Sequence, residues 1–168
     1  MQNKTIAIIS VVLILVAVTV YFVNDFVDKN TKDHTLADDQ NNRYHQAKVK
    51  INDIEILADI ALTDEQRSKG LSVRDSLGEN EGMLFMFQTE SKHPFWMYGM
   101  KFPIDIFWLD SAGKIIHMES NLQPCKSESD CVDYVPSENA LYVLETVAGF
   151  AEKHQIEIGT DIDFQLIR

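Results

Sequence analysis

AKVKINDIEILADIAL, residues 47–62, decides the fold class. Its apolar side chains recur at every second position: Val49 and Ile51 before Asn52-Asp53, then Ile54, Ile56, Ala58 and Ile60 after it. A period of two lines them up on one face of an extended chain, and the Asn-Asp pair supplies a tight turn. The stretch therefore predicts a β-hairpin with one buried face, and the helical period of 3.6 is absent from it.

Downstream the same reading gives short elements. Thr63 followed by Gln66 fits a capping box, and Gly70 ends the short helix that it opens. A polar loop runs from Ser72 to Glu81. Met83 to Phe87, Asp105 to Asp110, Lys114 to Glu119, Ala140 to Thr146 and Asp163 to Ile167 read as strands, and Val147 to Gln155 as a second helix. About seven short strands without long crossover helices point to a mainly β protein, an antiparallel sandwich or a partly closed barrel.

The 168 residues carry 15 Lys plus Arg against 26 Asp plus Glu, a net charge of −11. A field of that sign repels phosphate backbones, so nucleic acid is not expected as a partner. Two cysteines cannot hold a disulfide scaffold together, and the fold must rest on a hydrophobic core. Cys125 and Cys131 enclose the polar loop KSESD, where a structural disulfide is expected rather than a Cys-x-x-Cys redox centre. The histidines His34, His45, His93, His117 and His154 show no ligand spacing, so no metal is expected, and with no Walker loop or Gly-x-Gly-x-x-Gly fingerprint in the chain no cofactor is expected either.

The chain divides into four segments. Residues 1–5 form a short N-terminus. From Ile6 to Val23 no residue is charged, and as a helix this run spans roughly 27 Å, close to a bilayer core. It is longer than the apolar part of a signal peptide and lacks an Ala-x-Ala site, so an uncleaved transmembrane anchor is expected. Residues 24–46 carry five acids and three bases with little apolar periodicity and read as a flexible acidic tether. Residues 47–168 hold 11 bases and 21 acids and form the domain. Lysines flank the span on both sides. The cysteine pair and the acidic remainder favour a single pass through the cell membrane, with the first five residues cytoplasmic and the domain extracytoplasmic.

The segments EQRSKGLSVRDSL, EGMLFMF, FWMYGMKFPIDIFWLD and YVLETVAGF, in this order, resemble the DUF192 family, also called UPF0127, across essentially the whole domain. The most specific part is Phe95-Trp96-Met97 followed by Pro103-Ile104-Asp105 and an apolar strand. The resemblance implies a compact, jelly-roll-like β domain, often behind an anchor or signal segment, in a family of unestablished activity. Where many members carry Lys-Asn-Thr after Trp-Met, this chain has Tyr98-Gly99-Met100.

Five residues are candidates for a ligand site. Arg74 offers a rigid donor fork for carboxylates or phosphates, or it satisfies loop carbonyls or pairs internally with Asp105 or Glu145. Trp96 and Tyr98 stand in an aromatic run that suits stacking on sugars or other flat ligands, though alternation sends about half of such rings to the core. Asp105 and Glu145 sit beside strongly apolar strands, where a carboxylate is costly to bury unless bonded, as in turn capping or an acid and base pair. The expected function is a membrane-anchored module that binds a small molecule, a saccharide or another envelope component at these residues. The alternatives are an extracytoplasmic hydrolase or lyase using Asp105 and Glu145, and an accessory partner of another membrane protein; the balance leans away from an enzyme.

Overall fold

The computed structural model describes Tyr21, Asn24, Asp25 and residues 44–167. The anchor expected at 6–23 and most of the expected tether at 24–46 lie outside the described residues. Among the described residues no helix is long and apolar enough to cross a membrane. The chain divides into two units, residues 1–43 and 44–168, and the second holds the β domain.

The domain contains β1 (His45–Ile51), β2 (Ile54–Ala61), α1 (Asp64–Lys69), β3 (Glu81–Ser91), β4 (Ile104–Leu109), β5 (Ile115–Leu122), β6 (Ala140–Val147), α2 (Phe150–Lys153) and β7 (Ile162–Ile167). The expected hairpin is present, with Ile51 opposite Ile54 and Asn52 at φ 53°, the left-handed conformation that a two-residue turn requires. Ala47, Val49 and Ile51 face inward while Lys48 and Lys50 stay exposed. Strand β1 begins at His45, inside the segment read from the sequence as tether.

All seven strands join one mixed sheet in the order β5-β4-β6-β3-β2-β1-β7. The purely antiparallel expectation is corrected at one place: β2 and β3 run parallel, with Leu57 beside Glu81 and Ala61 beside Phe85. The 19 residues between them, which contain α1, are long enough for the crossover that parallel pairing demands. The sheet is not closed. The starts of its two edge strands meet locally, where Ile115 N donates to Thr160 O (2.9 Å) and Ile162 N to Gly113 O (2.8 Å).

Helix α1 begins as its sequence requires. Thr63 Oγ1 accepts from Gln66 N (3.1 Å), and Gln66 Oε1 accepts from Thr63 N (3.1 Å) and Leu62 N (2.9 Å), which satisfies three donors at the helix start. Gly70, at φ 48°, ends it. Helix α2 is a single turn, shorter than the expected 147–155, and starts after Gly149 in the left-handed region.

Apolar clusters cover both faces of the sheet. On one face Val49, Ile56, Ile60, Leu84, Phe107 and Leu144 pack under Phe150 and Ala151 of α2. On the other, Met83, Phe85, Ile106, Trp108 and Val143 are covered by Leu71 and Met97 from the loops. Strand β4 is buried at every position as a result, since even residues such as Trp108 and odd ones such as Phe107 both meet a covered face. Each such large side chain contributes about 2–3 kcal/mol relative to exposure.

Candidate functional site

Two stretches of loop shape the second face. Phe95 exchanges backbone hydrogen bonds with Tyr134 (3.0 and 2.8 Å), and Tyr98 bridges Cys125. Cys125 is disulfide-bonded to Cys131, with Cα atoms 5.4 Å apart, as the spacing led one to expect. The clip therefore ends the segment against which residues 95–98 lie. Trp108 Nε1 donates to His93 O (2.9 Å) and fastens the same stretch to the sheet. With Phe95 and Met97 anchored inward, Trp96 and Tyr98 stay 44% and 45% exposed, their ring centres 5.4 Å apart.

These two rings and Glu145 line one narrow cleft of about 50 Å³. Its other walls are residues 67–72 at the end of α1 and just after it, Phe85 of β3, and Phe95 and Met100. Glu145 is 4% exposed, and its Oε2 is buried without a hydrogen-bond partner. On the neighbouring strands it stands level with Met83 and Ile106, neither of which can donate to it. Burial alone pushes its carboxyl up to about 8, so the group is largely protonated at neutral pH. A neutral carboxyl can both donate and accept a hydrogen bond.

Asp105 is brought to a different place. Its carboxylate is fully buried and accepts from three backbone N–H groups: Asn121 (2.7 Å) and Gly149 (3.1 Å) on Oδ1, and Ala151 (2.8 Å) on Oδ2. It ties the end of β5 to the start of α2. Asp105 is level with Thr146, not Glu145, so the two carboxylates point to opposite faces of the sheet. They do not form an acid and base pair.

Arg74 is likewise outside the cleft. Its guanidinium pairs with Asp59, which also accepts from Gln46 Nε2 (3.1 Å), and with Glu81 Oε2 (3.3 Å). The internal pairing weighed from the sequence occurs, but with partners other than Asp105 or Glu145. The donor fork that made Arg74 a candidate clamp is already engaged.

Sequence reasoning missed a second cleft beside the first, of about 300 Å³, which shares Arg67, Phe85, Phe95 and Trp96 and adds Phe87, His93 and Pro94. The His93 imidazole stacks on Phe87 at 3.5 Å, and burial pushes its pKa down. The Arg67 guanidinium lies 5.3 Å from the centre of the Phe87 ring. No spacing in the chain announces this grouping, because Arg67, Phe87 and His93 come from α1, β3 and a loop. Among the described residues no three His, Cys, Asp or Glu side chains converge as metal ligands.

A family model described as uncharacterized ACR matches residues 47–164. A crystal structure from Sinorhizobium meliloti 1021, described as a candidate transcription regulator, superimposes with a TM-score of 0.63 at 23% identity, covering 73% of this chain and 94% of that one. At that identity the likeness concerns the fold alone. A protein of unknown function from Novosphingobium aromaticivorans DSM 12444 gives a TM-score of 0.61 at 25% identity, covering 70% and 83% of the two chains. No curated protein matches the chain significantly.

Proposed function

Because the chain belongs to the DUF192 family, which carries no assigned activity, its own geometry must supply the reading, and we propose that it is a membrane-anchored extracytoplasmic binding module. Its cleft takes a small ligand, free or as part of an envelope component such as a saccharide. The carrying observation is Glu145: a carboxyl deep in the apolar layer, with one oxygen unpartnered, at the floor of a cleft whose rim is the exposed Trp96 and Tyr98. Burying a polar group without a partner costs stability, about 1–3 kcal/mol, which a ligand hydrogen bond offsets. The flat rings at the mouth suit stacking on a ligand face.

The anchor and the orientation rest on the uncharged run from Ile6 to Val23 and on the disulfide, which persists in an oxidising space. Labelling reduced cells with a membrane-impermeant thiol reagent tests the orientation. Labelling of Cys125 and Cys131 only after lysis overturns it.

The binding reading is tested by thermal unfolding of the full-length chain in detergent against saccharides, envelope fragments and small metabolites. A ligand present at one hundred times its Kd adds about 2.7 kcal/mol and raises the midpoint by several degrees. The gain is expected to vanish in Trp96→Ala and Glu145→Gln. A panel without any shift moves the weight to a membrane-protein partner.

A further inference from the structure

The cleft at Glu145 presents a buried acid and a set of ring faces, and the two cations on its wall, Arg67 and Lys69, are each paired with an acid of their own helix. We propose, building on the binding reading above, that the cleft receives the cationic nitrogen of an organic ammonium or guanidinium head group, with Glu145 as its counter-ion and Trp96 and Tyr98 as its aromatic walls.

Glu145 Oε2 needs a donor, and among the described residues no ion pair reaches this carboxyl. The two cations that line the cleft, both from α1, are held by acids of their own helix. Arg67 pairs with Asp64 and donates to Met86 O (3.0 Å), and Lys69 pairs with Glu65 (2.7 Å). Among the described residues the loop brings one titratable group to the cleft, the Tyr98 phenol, and His93 stands in the adjoining cleft. From β3 and β4 the neighbours of Glu145 are the uncharged Met83 and Ile106. A cation entering here meets its opposite charge without displacing an existing partner.

The remaining features favour the same ligand class. Ring faces attract cations, most strongly where water is excluded. The small cleft at Glu145 suits a compact head group, and the adjoining cleft, which shares Arg67, Phe85, Phe95 and Trp96 with it, can take the stem that carries it. The domain's excess of acids draws cations toward it.

Charge balance then dictates a linkage. A protonated Glu145 facing a cation gives up its proton to solvent, so one ligand bound releases up to one proton. Affinity for a permanently charged ligand rises about tenfold per pH unit below the pKa of the empty site and levels off above it.

The test titrates the full-length chain in detergent with butylammonium, methylguanidinium, and blocked Gly-Lys-Gly and Gly-Arg-Gly peptides, with butanol and butyramide as neutral controls. Trp96 fluorescence and calorimetry in buffers of different ionisation heat are the readouts. The expected result is binding of the cations alone, with proton release, with affinity rising about tenfold per unit between pH 5.5 and 7.5, and with loss in Glu145→Gln. Gln keeps the shape and neutrality of the protonated acid, and Tyr98→Ala, at the exposed rim, gives an independent variant that should weaken binding at least about tenfold through lost ring contact. Tighter binding of the blocked peptides identifies a protein side chain as the source of the head group; tighter binding of the free cations identifies a small metabolite. Neutral ligands that bind at the cleft while cations do not, or cation binding unchanged in Glu145→Gln, overturn the cation assignment and leave the binding reading standing. Silence of every ligand, including the wider panel above, overturns both.

Discussion

Asp105 and Glu145 occupy adjacent strands one residue out of step: Asp105 is level with Thr146 and Glu145 with Ile106. The pleat therefore sends one carboxylate toward α2 and the other toward the aromatic cleft. Each is buried, and each solves the cost of burial differently. Asp105 collects three backbone donors, whereas Glu145 keeps its proton.

Glu145 should make the fold pH-sensitive. Its pKa of about 8 lies above the ordinary value of 4.5, so between those limits the folded state holds a proton that the unfolded chain has released. Stability is then fully present below about pH 4.5, falls by about 1.4 kcal/mol per unit as pH rises toward 8, and is level above it. Urea unfolding at pH 5, 6.5 and 8 should show this component in the wild type and its absence in Glu145→Gln. An identical pH profile in both chains would refute the buried, protonated state.

Asp105→Asn is expected to destabilise the domain by about 2–4 kcal/mol, because the amide cannot accept from three N–H groups and turns a donor toward them. The change lies on the far side of the sheet from the cleft, so ligand affinity should stay within about twofold after correction for folded fraction. Denaturant titration and fluorescence binding measure the two effects separately.

Arg74→Ala should cost about 1–3 kcal/mol, since Asp59 is largely covered and loses its cation. Binding at the cleft should be unaffected. A ligand whose affinity falls more than about tenfold (about 1.4 kcal/mol) in this variant would place Arg74 back among the binding groups.

Reduction of Cys125–Cys131 removes a constraint on a short loop and is expected to lower stability by about 2 kcal/mol. Amide exchange should quicken first at Cys125 and at Phe95 and Tyr134, whose backbone bonds join the clipped segment to the aromatic stretch. Exchange rates unchanged at those amides would show that the clip does not support the rim.

Trp96→Ala and Trp108→Phe offer a contrast. Trp96 is at the rim and should change stability by less than about 1 kcal/mol while removing ligand response. Trp108 is fully buried and bonds His93 O, so its replacement should lower the unfolding midpoint through lost packing and a stranded carbonyl.

Local chemistry was legible in the chain. The alternation of residues 47–62 determined the β1–β2 hairpin, Thr63 and Gln66 determined the start of α1, and the short loop between Cys125 and Cys131 determined the disulfide, because each depends on residues near one another in sequence. Resemblance to DUF192 was carried by the motifs of the domain, and the family match bears it out. Tertiary structure alone decided what depends on strand register and non-local approach. It set β2 parallel to β3, gave Arg74 its partners Asp59 and Glu81, and separated Asp105 from Glu145 by the thickness of the sheet. A shift of one residue in register reverses which face a side chain meets, so the sequence determined that both carboxylates border apolar strands, and only the pairing of β4 with β6 decided that one would close a turn and the other would floor a cleft.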